Sequence, residues 1–288
     1  MPTNPAGANA PATVVIEPSR ALAGLGLAEI WAYRELLYFL VWRDIKVRYK
    51  QTVLGAIWAI LQPLLTAVVF TLFFGRLAGI PSDGLPYPVF SYAGLLVWTF
   101  FAQAVTQAAV SLVSSANLIS KVYFPRALVP MASIFGGLVD LAIAFPLLGV
   151  FMLAYHVPAA ATFGWFPVFL LLAVATALGV GLWLSAITLE YRDVRYVVPF
   201  IVQLWLFVSP VIYPSSTVVP RLRALGLPDW LLGLNPMAGV VEGFRWSLLG
   251  TPSPPLGVMV GSAVVSVLVL ISGALYFHRV ERSFADVI

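Results

Sequence analysis

The chain has 288 residues, of which 61% are hydrophobic and only 10% charged, against about 25% charged in an ordinary soluble domain. That composition excludes a soluble globular protein. The formal net charge of +4 is modest, so its placement matters more than its size, and the lack of cysteine removes disulfide and thiolate chemistry and any reading of the redox compartment.

Six long apolar segments, each near the roughly 20 residues that cross a bilayer, predict an all-α polytopic membrane protein. Length alone suggests about two domains, but the segments are better read as one helical bundle over 27–288 behind a lead of 1–26. Met1–Arg20 is rich in Pro and Ala and has neither a basic n-region nor an apolar h-region, so a disordered lead is expected rather than a cleaved signal peptide. An amphipathic interface helix is expected over 27–50. On a period of 3.6, Glu35, Arg43, Lys46 and Lys50 share one face, and Ile30, Leu37, Val41 and Ile45 the other. Arg34, Asp44 and Arg48 intrude on the apolar side. The stretch reads either as a solvated juxtamembrane helix or as one that rests on the membrane and grips a protein below it.

The first span is expected over 54–74, with Pro63 inside it as a kink, and a Pro/Gly-rich turn follows. The second, 89–113, carries Gln103, Thr106, Gln107 and Ser111 at helical spacing, a stripe that should face other helices or an aqueous path. In the loop 114–126, Asn117 is expected to N-cap a short helix that Pro125 ends. Leu118, Ile119, Val122, Tyr123 and Phe124 would form an apolar knob, packed on its own bundle or fitted into a partner's groove. The third span, 127–155, holds Asp140 near its middle, where a carboxylate must face the bundle interior and find a donor or a proton, in either a structural or a transport role. The fourth span is expected over 166–189 and the fifth over 197–212, joined by the charged loop Glu190–Tyr196. Between Tyr213 and Pro255 two apolar stretches, Trp230–Leu234 and Met237–Leu249, are too short to span and predict re-entrant or interfacial helices. Glu242 and Arg245 form an i,i+3 pair expected to neutralise each other at the surface. The sixth span is expected over 256–277. Twelve of the sixteen Lys and Arg fall on the side of the first loop and both termini, which places the termini in the cytoplasm.

No G-x-x-x-x-G-K-[ST] phosphate loop occurs, so this chain does not bind ATP in that manner. His156 and His278 lie far apart, which argues against a metal site, and no Ser-His-acid set or catalytic pair of acids is evident. Any energy source must come from another protein, or there is none.

Four separated stretches carry a resemblance. Arg43-Asp44-Ile45-Lys46-Val47-Arg48-Tyr49-Lys50-Gln51-Thr52-Val53-Leu54-Gly55 with Trp58 and Gln62-Pro63 resembles the start of polysaccharide-exporting ABC-2 type permeases. Ser114–Arg126 resembles that family's first cytoplasmic loop, whose short helix docks in the ATPase. Val197–Pro214, through Gln203, Trp205, Phe207 and Ser209-Pro210, is the strongest match, and Leu234–Met237 with Glu242–Trp246 resembles the re-entrant pair. The resemblance implies the permease subunit of an ATP-driven exporter of a lipid-linked polysaccharide of O-antigen, teichoic acid or capsule type, in the bacterial cytoplasmic membrane. It also implies a homodimer joined by two ATP-binding subunits, which hold the ATP and Mg. No cofactor is expected in this chain, and no nucleic-acid partner. Arg43, Lys46, Arg48, Asn117, Leu118, Lys121, Tyr123 and Phe124 become candidates for ATPase docking. Trp58, Gln62, Phe70, Phe73, Gln203, Trp205, Phe207 and Tyr213 become candidates for the substrate path, because sugar C–H faces pack on aromatic rings while hydroxyls need polar groups. Competing readings are an exporter of lipid or drug-like molecules, a lipid-linked glycosyl- or acyltransferase, and an ion-coupled transporter. The last would need several intramembrane ionisable groups rather than Asp140 alone.

Overall fold

A computed structural model of the protein describes residues 27–50 and 57–281. The expected lead, the start of the first span and the tail beyond Glu281 lie outside the described residues. Among those residues the regular elements are all helical. Among the described residues five helices are long and apolar enough to cross a membrane, and the protein is a multi-pass membrane protein.

The molecule is built around α4 (Tyr87–Ser114), whose first half is apolar on every side and accordingly buried on every side: Val89, Phe90, Tyr92 and Ala93 have no exposed surface. Around it stand α3 (Ile57–Phe70), α6 (Leu128–Ala154), α7 (Phe166–Glu190), α8 (Val194–Val208) and α10 (Pro236–Leu249). The first span continues past its expected end, because α3 passes into a wide π-helical turn over Thr71–Leu77. The apolar run does not stop at Phe74, and Gly75 lets the backbone lie against the ring of Tyr87, where a Cβ would come within 2.8 Å.

The helix α11 (Leu256–Glu281) packs along α7. A Cβ on Gly179 would sit 2.6 Å from the Val269 carbonyl, and one on Gly273 would sit 2.3 Å from the Gly179 carbonyl. The two backbones therefore touch, the small-residue packing that serves helices where lipid supplies no hydrophobic drive. Thr176 donates to Ser266 at 2.9 Å, and Trp183 stacks on Tyr276 at 4.1 Å. These pairs ascend in register, so α7 and α11 run parallel.

The interface helix divides at Tyr33 into α1 (Leu27–Ala32) and α2 (Arg34–Lys50). On them Glu35, Arg43, Lys46 and Lys50 are exposed, while Ile30, Leu37, Val41 and Ile45 are half-buried. The exposed side is not simply polar, since Tyr38, Phe39, Trp42 and Val47 share it. This mixture erases the contrast expected between the two sides.

The fifth expected span differs most from the reading. The helix α8 starts earlier, at Val194, and ends at Val208, because Ser209 is extended and Pro210 follows it. At about 1.5 Å per residue its 15 residues make roughly 22 Å, short of the roughly 30 Å hydrocarbon core. The chain nonetheless reaches both ends of α4: Arg195 shares a small cavity with Ser114, and the Ile212 carbonyl accepts from the Tyr87 hydroxyl at 2.9 Å. After α9 (Ser215–Ala224) and a 3-10 turn over Asp229–Leu234, α10 is buried along almost its whole length. Asn235 caps it by accepting from the Met237 N–H at 3.1 Å, and Gly250 closes it at φ 67°.

Candidate functional site

Arg48 and Asp140, the two charges that fit their helices worst, find each other. Asp140 lies twelve residues into α6, about 18 Å from its start. The Arg48 guanidinium donates to one oxygen of Asp140 and to the Gln107 side-chain oxygen, and the Tyr49 hydroxyl donates to the other oxygen of Asp140. The carboxylate thereby obtains the donors that its depth demands. The sequence flagged Asp140 and separately flagged Arg48 as misplaced on an apolar face. Tyr49 was missed, although a tyrosine at the end of a helix that enters lipid is a signal.

The polar stripe of α4 divides in two. Thr106 and Ser111 turn their hydroxyls back to carbonyls of their own helix, Ala102 and Ala108, each at 2.7 Å. Gln107 serves Arg48, and Gln103 donates to the Gln62 side chain at 3.0 Å. Below this ladder a cleft of about 500 Å³ opens between α2, α4, α6 and the one-turn helix α5 (Ala116–Ile119), with Arg43, Asp44, Arg48, Gln107 and Ser114 on its walls.

The eight aromatic and amide candidates do not converge within one chain. Trp58, Phe73 and Phe207 are about half exposed, and Gln62 and Gln203 are exposed too. Phe70 is buried, Trp205 is half-buried with its ring edge-on to Phe101 at 5.1 Å, and Tyr213 donates to the Phe207 and Val208 carbonyls at 3.3 and 3.2 Å. Gln62 meets α4 at Gln103 and Trp205 meets it at Phe101, positions about 200° apart around the helix. The helices α3 and α8 therefore hold opposite flanks of α4, each showing an apolar outer face. The indole N–H of Trp205 donates to Asn235 at 2.9 Å, and Asn235 in turn donates to Ser209 at 2.9 Å. Asn235 thus joins the end of α8 to the start of α10.

At the opposite end, Ser115 occupies the N-cap of α5 and makes no side-chain cap, so Asn117 is not the cap expected of it but an exposed residue inside the turn. Preceding helix α4 runs on to Ser114 and leaves no room for a cap at Asn117. The knob is split: Tyr123 is 84% exposed and Val122 is exposed, whereas Ile119 and Phe124 are buried against Leu128 and Leu189. Leu118 is half-buried and Lys121 exposed. On α2, Arg43 pairs with Asp44 at 2.9 Å, and Lys46 lies over the Trp42 ring at 5.1 Å.

Glu242 and Arg245 are not at the surface. Arg245 is 1% exposed, and its guanidinium donates to the carbonyls of Phe90 at 3.1 Å, Pro210 at 2.6 Å and Val211, and to Glu242 at 3.3 Å. Ser215 donates to the other Glu242 oxygen at 2.7 Å. Because Met237–Leu249 is apolar around its whole circumference, neighbouring helices enclose it and the pair goes in with it. The guanidinium ties together α4, α10 and the carbonyls that the break after α8 leaves without helical partners.

The family described as ABC-2 type transporter matches residues 35–249. The O-antigen export system permease protein RfbA of Myxococcus xanthus is 30% identical over 260 residues, covering 90% of this chain and 97% of that protein. Two proteins of the same description from Klebsiella pneumoniae are 26% identical over 212 residues and 24% over 261, covering 79% and 95% of their own lengths. The match runs from the interface helix to the end of α10 and takes in every element built above except α1 and α11: this chain belongs to the ABC-2 type transporter family.

Proposed function

We propose that the chain is the permease subunit of an ATP-driven exporter that carries a lipid-linked polysaccharide of O-antigen type across the bacterial cytoplasmic membrane. The observation that carries this is the match to O-antigen export permeases along nearly the whole of both chains. The chain has no phosphate loop, so two ATP-binding subunits supply the energy. Six crossings put both termini in the cytoplasm. Chain tracing supports this, since the N–H of Arg126, just after α5, donates to Glu281 at 2.8 Å, bringing the first loop and the last helix to one end. Between the foot of α7 and the head of α11, α8 with its extended continuation makes the ascent, and the short helices over Asp229–Leu234 and Pro236–Leu249 form the re-entrant pair at the far side.

Two copies complete the path. The outer faces of α3 and its π-helical continuation (Trp58, Leu65, Val69, Phe73) and of α8 (Phe200, Ile201, Leu204, Phe207) are exposed in one chain, and pairing α3 of one copy with α8 of the other closes a conduit. Its wall has aromatic rings for the sugar C–H faces and Gln62 and Gln203 for hydroxyls. Few charges line it, so a neutral polymer slides without being trapped. The ATPase docks on the exposed basic side of α2 and on Tyr123 and Lys121. In a strain lacking its own permease, Trp58→Ala and Phe207→Ala each lower surface polysaccharide while dimer and ATPase co-purify unchanged. Normal export in both variants, or loss only through failed assembly, overturns the aromatic path.

A further inference from the structure

A cavity of about 610 Å³ takes no part in the path above. It is a trough between α6, α7 and α11 on the outside of the bundle. Its deep wall is Met131, Leu178, Leu182, Leu270 and Phe277, while its mouth carries Glu29, Arg126, His278 and Glu281. From Leu270 to Glu281 is eleven residues of one helix, about 16 Å, which is half of the roughly 30 Å hydrocarbon core. The trough is therefore one leaflet deep, apolar along its length and ionic where that leaflet meets water.

Water does not fill such a space, because each buried water needs two to four polar partners and the deep wall offers none. The mouth is built for both signs of charge. Arg126 donates from its backbone N–H to the Glu281 carboxylate at 2.8 Å and from its guanidinium to the Glu281 carbonyl at 3.2 Å. His278 lies 3.8 Å from the other Glu281 oxygen. Among the described residues no hydrogen bond or ion pair engages the Glu29 carboxylate.

We propose that the trough is a binding site for one phospholipid with an ammonium-bearing, zwitterionic headgroup. One acyl chain lies along Met131, Leu178 and Leu270. The ammonium donates to Glu29 and Glu281, and the phosphate faces Arg126 and His278. A purely anionic lipid would satisfy Arg126 and His278 but leave the Glu29 carboxylate facing a like charge with no ammonium to offset it.

The test uses the full chain in nanodiscs of phosphatidylglycerol doped with a phosphatidylethanolamine that carries a diazirine near the end of one acyl chain. After illumination, labelled peptides are mapped by mass spectrometry. Labelling concentrates on Met131, Leu178 and Leu270, and unlabelled phosphatidylethanolamine displaces it while added phosphatidylglycerol does not. Glu29→Gln weakens the label by about fivefold, the scale of an exposed ion pair, and Ala274→Trp, which fills the trough, removes it. The displacement experiment on the unaltered chain keeps the test valid if a variant misfolds. Labels spread over exposed residues of α3 and α8 as much as the trough indicate only surrounding lipid and overturn the proposal. Equal displacement by both lipids overturns the headgroup assignment. Cross-links from residues 1–26 into an unlabelled trough make the chain's own lead the occupant and also overturn it.

Discussion

Replacing Arg245 by methionine removes the group that joins α4, the break after α8 and α10, while keeping most of its volume. Four acceptors lose their donor: the carbonyls of Phe90, Pro210 and Val211, and the Glu242 carboxylate. Breaking a buried ion pair from one side costs about 3–5 kcal/mol, because the remaining charge stays buried. Each orphaned carbonyl adds about 1 kcal/mol or more, less whatever water enters. A melting shift of roughly 2–4 °C per kcal/mol, the scale for chains of 150–250 residues, gives a drop of at least about 6 °C for Arg245→Met. Adding Glu242→Gln to it removes the stranded charge and restores part of the loss, so the double variant melts above the single one. Gly94→Ala strikes the same guanidinium from α4, where a Cβ would stand 2.2 Å from its terminal nitrogen, and lands near Arg245→Met. Thermal unfolding in detergent, followed by tryptophan fluorescence, measures all three. An Arg245→Met variant within about 1 °C of the parent, or a double variant worse than the single, would refute the buried network.

Tyr123→Ala leaves the fold unchanged, since the ring is 84% exposed, yet weakens co-purification of the ATPase subunit. Phe124→Ala removes a buried ring and costs about 3–5 kcal/mol of stability, so the two variants separate docking from folding in a melting and pull-down comparison. Asp140→Leu takes the carboxylate away from Arg48 and Tyr49 and lowers the melting temperature more than Asp140→Leu combined with Arg48→Met, which a double-mutant cycle detects. Hydrogen bonding from Arg223, at 2.8 Å through Nε, holds the Asp229 carboxyl below its ordinary value of 3.8. A depressed carboxyl contributes above its unfolded pKa and loses that contribution as pH falls through the folded one. The protection factor of the α9 amides, taken relative to the intrinsic exchange rate at each pH, therefore stays flat from pH 7 to about 5 and falls below about 4, whereas Asp229→Asn shows no step in that window.

Much of the bundle was legible in the sequence because apolar runs of spanning length leave few alternatives to a membrane helix. The helix that buries itself most, α4, is the least apolar of the long spans; its polar stripe signalled neighbouring helices, but only packing reveals it as the centre. Asp140 was legible as a charge that must have donors, but Arg48 stands 92 positions away in the chain, beyond any spacing rule. Glu242 and Arg245 misled for the opposite reason. Their i,i+3 spacing matches a surface pair, and the signal for burial lay in the unbroken apolar residues around them. The end of α8 was overrun because the apolar run continues to Ile212, whereas Ser209-Pro210 breaks the helix first.

Backbone contact between α7 and α11 decides which parts of the protein are able to slide. With Gly179 and Gly273 meeting carbonyl to Cα, a shift of either helix by half a turn drives a larger side chain into the other's main chain. The pair moves as one body or not at all. Both α3 and α8 hold to the rest chiefly through side chains on one flank. On the proposed function, the protein thus has a stiff keel on one edge and two more compliant staves on the other, and any widening of the path falls to the staves.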